Sequence, residues 1–169
     1  MRTISILTAG IIAAVLATSS AFAQADQKFI KEAIEGNLAE VQMGQLAQKN
    51  GASQGVKDFG QMLATDHSQA NTKATSVANS LNVTPPTEPN AKQKKDYDKM
   101  SKLNGAAFDK AFAVHMVADH EKDIAAYHKE TKSKNQTVAR YASETLPTLQ
   151  KHLETAQSLR KGSGKSAAR

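Results

Sequence analysis

The chain has 169 residues, a formal net charge of +6 and no cysteine. Disulfides, thiolate metal ligands and a lipid anchor on an N-terminal cysteine are therefore excluded, and the length suits one domain with its own hydrophobic core.

In chain order, Arg2 is followed by an apolar run from Ile4 to Leu16, then by small residues leading to Ala21-Phe22-Ala23 ahead of Gln24. This is the three-part layout of a secretory signal peptide over residues 1–23, and its apolar run is too short to span a bilayer. An uncleaved N-terminal anchor is the alternative. The signal-peptide reading predicts a protein exported to the periplasm, and no later stretch is apolar enough to be transmembrane. Export argues against nucleic acid as a partner despite the basic charge. Lysines are densest in AKQKKDYDKMSK, residues 91–102, which reads as a solvated helix face or as a surface with weak attraction for the anionic envelope or a protein partner.

The rest reads as helix, since alanine is abundant and β-branched alternation is hard to find. Helix A is predicted near 26–49 and stopped by Asn50-Gly51, and helix B near 53–81. NVTPPTEPN, residues 82–90, holds three of the four prolines and is the one clear loop. Helix C follows near 92–131 with a break at Asn104-Gly105, then a polar break at Lys132–Asn135 and helix D near 136–160, with Pro147 expected to kink it. Residues 162–169 read as a disordered basic tail. The folded domain would span 24–161, an all-α, antiparallel four-helix bundle with one longer Pro-rich connection.

Two stretches, FGQMLATDH at 59–67 and FAVHMVADH at 112–120, repeat Phe eight residues before a His and Asp directly before it. Successive helical residues lie about 100° apart, so His67 falls inside the apolar stripe of helix B, among Leu63, Ala70 and Ala74. His120 lies among Met116, Val117 and Ile124 in helix C, His152 between Leu149 and Ala156 in helix D, and Glu40 among Ala33, Asn37, Gly44 and Ala47 in helix A. Each helix thus aims one potential metal ligand into the core near its mid-length, so Glu40, His67, His120 and His152 are expected to meet in one central layer. Asn71 and Asp123 follow on the same stripes. Asp66 and Asp119 point about 100° away from their histidines and would accept hydrogen bonds from imidazoles on neighbouring helices, or add ligands. Gly36 and Gly44 leave space around Glu40, whereas His115 and His128 fall on the flank of helix C.

Buried imidazoles and carboxylates are costly unless paired or bound to metal. The layer is read either as a site for a divalent metal, with donors suiting Zn, Fe or Mn, or as a polar layer that only fixes helix register. No organic cofactor is indicated. No nucleophile, phosphate-binding loop or nucleotide motif appears, so no catalytic residue is named.

EGNLAEVQMGQLA (35–47), VKDFGQMLATDHSQAN (56–71), FDKAFAVHMVADH (108–120) and TLPTLQKHLETAQSL (145–159) together resemble the bacterial domain-of-unknown-function family 4142, in order and over nearly all of the expected mature chain. The resemblance implies an exported protein with a ferritin-like helical bundle and no established activity, and it places Glu40, Asp66, His67, Asp119, His120 and His152 at the family's characteristic positions. Ferritin-like di-iron and di-manganese sites use Glu-x-x-His motifs. None of the five histidines here has a Glu three residues before it. The departure speaks against ferroxidase or storage chemistry and for a site richer in imidazole. Metal-linked redox or stress protection in the envelope is one functional reading; a non-enzymatic structural or interaction protein is the other.

Overall fold

The structure, a computed structural model, describes residues 9–166. Residues 1–8 of the expected signal peptide and 167–169 of the expected tail lie outside the described residues. All the regular structure described is helical: α1 (Ala9–Asn50), α2 (Gln54–Ser80), α3 (Ala91–Met100), α4 (Gly105–Glu130) and α5 (Gln136–Ser166). Among the described residues, no helix is long and apolar enough to cross a membrane.

Three boundaries differ from the sequence reading. α1 begins at Ala9 rather than near residue 26, because the alanine-rich leader joins the first amphipathic stretch with no breaker between them. α5 runs to Ser166, into the stretch that composition assigns to a tail. The expected helix C is two helices, making five. Gly105 takes a left-handed φ of 62°, which ends the run after α3 and restarts it as α4. The turn is tied down from outside: Asn50 donates to the carbonyls of Ser101 at 3.4 Å and Leu103 at 2.8 Å. Buried Asp109 accepts from the backbone N–H of Ala52 and of Ser53, both at 2.9 Å, and so satisfies donors that the start of α2 would otherwise leave bare.

The four long helices run antiparallel to their neighbours. Gln27 of α1 reaches Leu81 just after α2, while Gly44 lies against Gly60 further along. Tyr127 and His120 of α4 meet Tyr141 and His152 of α5. Lys73 and Asp66 of α2 meet Glu144 and His152 of α5, and Phe29 of α1 packs on Tyr127 of α4. At the α1–α2 contact a Cβ on Gly60 would stand 2.5 Å from the Gly44 carbonyl oxygen, so the two backbones touch. Gly44 therefore serves helix approach rather than space around Glu40, whereas Gly36 faces open room.

The apolar core is in two halves. One gathers Phe29, Ile30, Ile34, Val77, Val138 and Leu149; the other Met43, Phe59, Leu63, Phe108, Phe112 and Met116. Between them in sequence on every long helix stands a buried polar residue: Asn37 and Glu40 on α1, His67 on α2, His120 on α4 and His152 on α5. Burying these groups opposes folding unless they are paired, so their partners decide what the layer is for.

Candidate metal centre

His67, His120 and His152 are all buried, and one ring nitrogen from each lies within 4.8 Å of the others. The ring centroids are 5.9 Å apart for His67–His120 and 5.3 Å for the other two pairs. Phe59 packs edge-on against His152 at 6.0 Å, walling the cluster on its apolar side.

The outer hydrogen bonds fix each ring's tautomer. His67 Nδ1 lies 2.9 Å from the side-chain oxygen of Asn37, which accepts, so Nδ1 carries the proton. The Asn37 amide in turn donates to the Tyr141 hydroxyl at 3.2 Å, and Tyr141 bonds Tyr127 at 3.0 Å. His120 Nδ1 donates to the Met116 carbonyl at 2.9 Å. His152 Nε2 donates to the Asp66 carboxylate at 2.9 Å. With these nitrogens protonated, His67 Nε2, His120 Nε2 and His152 Nδ1 each offer a bare lone pair.

These lone pairs face one another. His120 Nε2 and His152 Nδ1 are only 3.3 Å apart, and a hydrogen bond between them would need an additional proton on one ring. Burial opposes that proton. It holds His67 well below the ordinary imidazole range, with His120 and His152 adding repulsion. Burial, then His152, brings His120 down to about 4 against the Met116 carbonyl, which pulls upward. For His152 burial outweighs Asp66, so their contact has ion-pair geometry but joins a neutral imidazole to a carboxylate. His67 Nε2 has no hydrogen-bond partner.

A cation would satisfy these lone pairs, and the donor set fits a divalent metal. Four nitrogen ligands at ~2.0–2.1 Å in a tetrahedron stand roughly 3.3–3.4 Å apart. The His120–His152 separation already has that value, while the third nitrogen lies within 4.8 Å. Three imidazoles leave one position of a tetrahedral ion open. Their outer donors go to an amide, a backbone carbonyl and a carboxylate, as is usual for metal-bound histidines.

The other expected site residues lie around this triad. Glu40 is not among the converging ligand atoms; it faces Asp119, with Asp123 nearby. Burial raises its carboxyl well above the ordinary range, and Asp119 and Asp123 raise it further. Burial, then Asp119, lifts Asp123 to about 7. Asp119 therefore meets a carboxyl rather than an imidazole. Glu40 Oε2 and the Asn71 side-chain oxygen are buried without partners. Asp66 is partly exposed and borders an 80 Å³ cavity with Thr145 and Thr148, so one hydrogen bond separates His152 from a solvent-facing group. Of the flanking histidines, His115 is half-buried and His128 exposed.

Asn37, Tyr141 and the Met116 carbonyl are the parts that sequence reasoning left without a role. Asn37 had a visible signal, an amide on an apolar stripe one turn before Glu40. The Met116 carbonyl had none, because its use depends on the ring orientation of His120.

Residues 13–159 match a family described as Domain of unknown function (DUF4142). No curated protein and no solved structure matches the chain.

Proposed function

This chain belongs to the DUF4142 family, and we propose that His67, His120 and His152 hold a divalent metal ion in the core of an exported, ferritin-like four-helix bundle. The observation that carries the reading is the convergence of three imidazole lone pairs whose outer nitrogens are all committed as donors. In the bundle reading, α1, α2, α4 and α5 are the four long helices, and α3 is a short segment of the Pro-rich connection. Asn37, Asp66 and the Met116 carbonyl orient the ligand rings, and Asn71, one turn after His67 with an unpartnered buried oxygen, would be an additional ligand.

Imidazole donors without thiolate suit Zn, Fe or Mn, and three ligands with an open position are the arrangement by which Zn activates a bound water. When bound, the metal would supply Lewis acidity or, as iron or manganese, one-electron chemistry. The chain's own residues hold the rings neutral, exclude bulk water with Phe59 and leave Asp66 as a solvent-linked proton acceptor bonded to His152. The signal-peptide pattern of residues 1–23 is what supports a periplasmic setting for this chemistry, where metal-linked redox or stress protection is the role we favour. The lysines of α3 face solvent and would meet the envelope surface or a protein partner.

Titration with Co²⁺ tests the site directly. Wild type is expected to bind one ion with the visible spectrum of a nitrogen-ligated tetrahedral centre, displaced by Zn²⁺, and the His67→Ala/His120→Ala double variant is expected to show no such spectrum. Featureless titration of a folded wild type would leave the second reading, a structural polar layer in an interaction protein. The hydrogen bonds that the three histidines donate to Asn37, the Met116 carbonyl and Asp66 are what favour it.

A further inference from the structure

A second group of ionisable side chains lies between α1, α3 and α4. Glu40 of α1 bonds Asp119 of α4, and Asp123 follows one turn later on α4. Glu40 is 3% exposed, and its Oε2 has no hydrogen-bond partner. Among the described residues, no lysine, arginine or histidine forms an ion pair with any of the three carboxyls. Lys92, which pairs with Asp96, exposed Lys122 and half-buried His115 border the same space without an ion pair to any of the three.

There is room beside them. A cavity of about 50 Å³ is lined by Glu40 and Asp119, and another of about 160 Å³ by Asp119 and Asp123. Both are covered by Asn90 and Gln93 at the start of α3. Gly36 adds to the space, since a Cβ there would meet only the Gln93 amide nitrogen at 4.0 Å. Among the described residues only the three histidines already converge within 4.8 Å, so the carboxylates would draw in on an ion by side-chain rotation into this space.

We propose that Glu40, Asp119 and Asp123 form a second, all-oxygen site for a hard divalent cation, separate from the histidine triad. Carboxylates and water suit Mg²⁺, Ca²⁺ or Mn²⁺, whereas imidazoles suit Zn²⁺ or Co²⁺, so the two sites sort ions by chemistry. A divalent ion would supply the directly bonded positive charge that the bordering Lys92 and Lys122 do not, and a partner for Glu40 Oε2. The two cavities have room for the waters that a hard cation retains. This site does not depend on the triad being occupied.

Terbium luminescence tests it. Tb³⁺ is a hard, oxygen-seeking probe, and the chain has three tyrosines and no tryptophan. Tyr97 lines the smaller cavity and Tyr127 the larger, so tyrosine excitation will sensitise an ion bound there. The full mature protein is expected to give saturable emission at one Tb³⁺ per chain, displaced by Ca²⁺ or Mn²⁺. Glu40→Gln and Asp123→Asn are each expected to weaken binding about tenfold or more. The His67→Ala/His152→Ala variant should keep the signal while losing the Co²⁺ spectrum. Asp123 is only partly buried, so its variant remains informative should Glu40→Gln fail to fold. No saturable emission, or emission unchanged in both carboxylate variants, would overturn the proposal. Failure of Co²⁺ binding alone would count against the histidine centre and leave this site standing.

Discussion

At the scale of single residues, the proposed centre would depend on atoms that touch no metal. Asn37 keeps the His67 proton on Nδ1 and leaves Nε2 bare. Asn37→Leu is therefore expected to lower metal affinity by ~10–100-fold without changing stoichiometry, as read by competition against a chelator. An unchanged affinity would show that Asn37 only packs. Protonation follows from burial. The three imidazoles have folded pKa values below the ordinary 6.5, reaching about 4 for His120. Their contribution to stability is therefore present above about pH 6.5 and lost as pH falls through 4. Metal-free wild type should lose stability across that window, and His67→Ala/His120→Ala should flatten the profile in denaturant melts. Asp123 has the opposite sign. Its pKa rises from 3.8 to about 7, so the fold's preference for the neutral acid is full below 3.8 and lost as pH rises through 7. Asp123→Asn should match metal-free wild type near pH 4 and exceed it in stability at pH 8. A variant less stable at pH 8 would mean that the ionised carboxylate has a partner.

At the scale of helices, glycine serves two purposes that stability measurements can separate. At Gly60 a Cβ would collide with the Gly44 carbonyl at 2.5 Å and with Ala47 Cβ at 2.8 Å. Gly60→Ala is therefore expected to cost ~1–3 kcal/mol by forcing α1 and α2 apart. Gly36→Ala meets open space within a helix and should stabilise by roughly 0.5–1 kcal/mol. Equal effects at the two positions would contradict the close approach of α1 and α2. The helices themselves were legible because Asn50-Gly51 and the proline loop are strong punctuation and the apolar stripes are regular. The inward placement of His67, His120 and His152 followed from the same periodicity. The separation of Glu40 from the histidines was not legible. Periodicity gives direction and height along a helix, whereas which neighbour a side chain meets depends on rotamer and helix rotation. The full break before α4 rests on Gly105 adopting positive φ and on Asn50 and Asp109 securing the turn from afar, contacts more than fifty residues distant in sequence.

For the whole molecule, the polar layer divides the core, so an ion held by the histidines of α2, α4 and α5 would join these helices at the seam between its two halves. Binding to the folded state alone stabilises by about 2.7 kcal/mol at a hundredfold excess over Kd, or roughly 5–10 °C for a domain of this size. Zn²⁺ should raise Tm by that order in wild type and leave His67→Ala/His120→Ala unmoved. The most direct measurement is elemental analysis of the protein purified from its native compartment without chelator or affinity tag, beside the same double variant. One equivalent of Zn, Fe or Mn per chain at the triad, absent from a still-folded variant, is the expected result. A wild type that carries no such metal and takes up none on titration would contradict the metal centre.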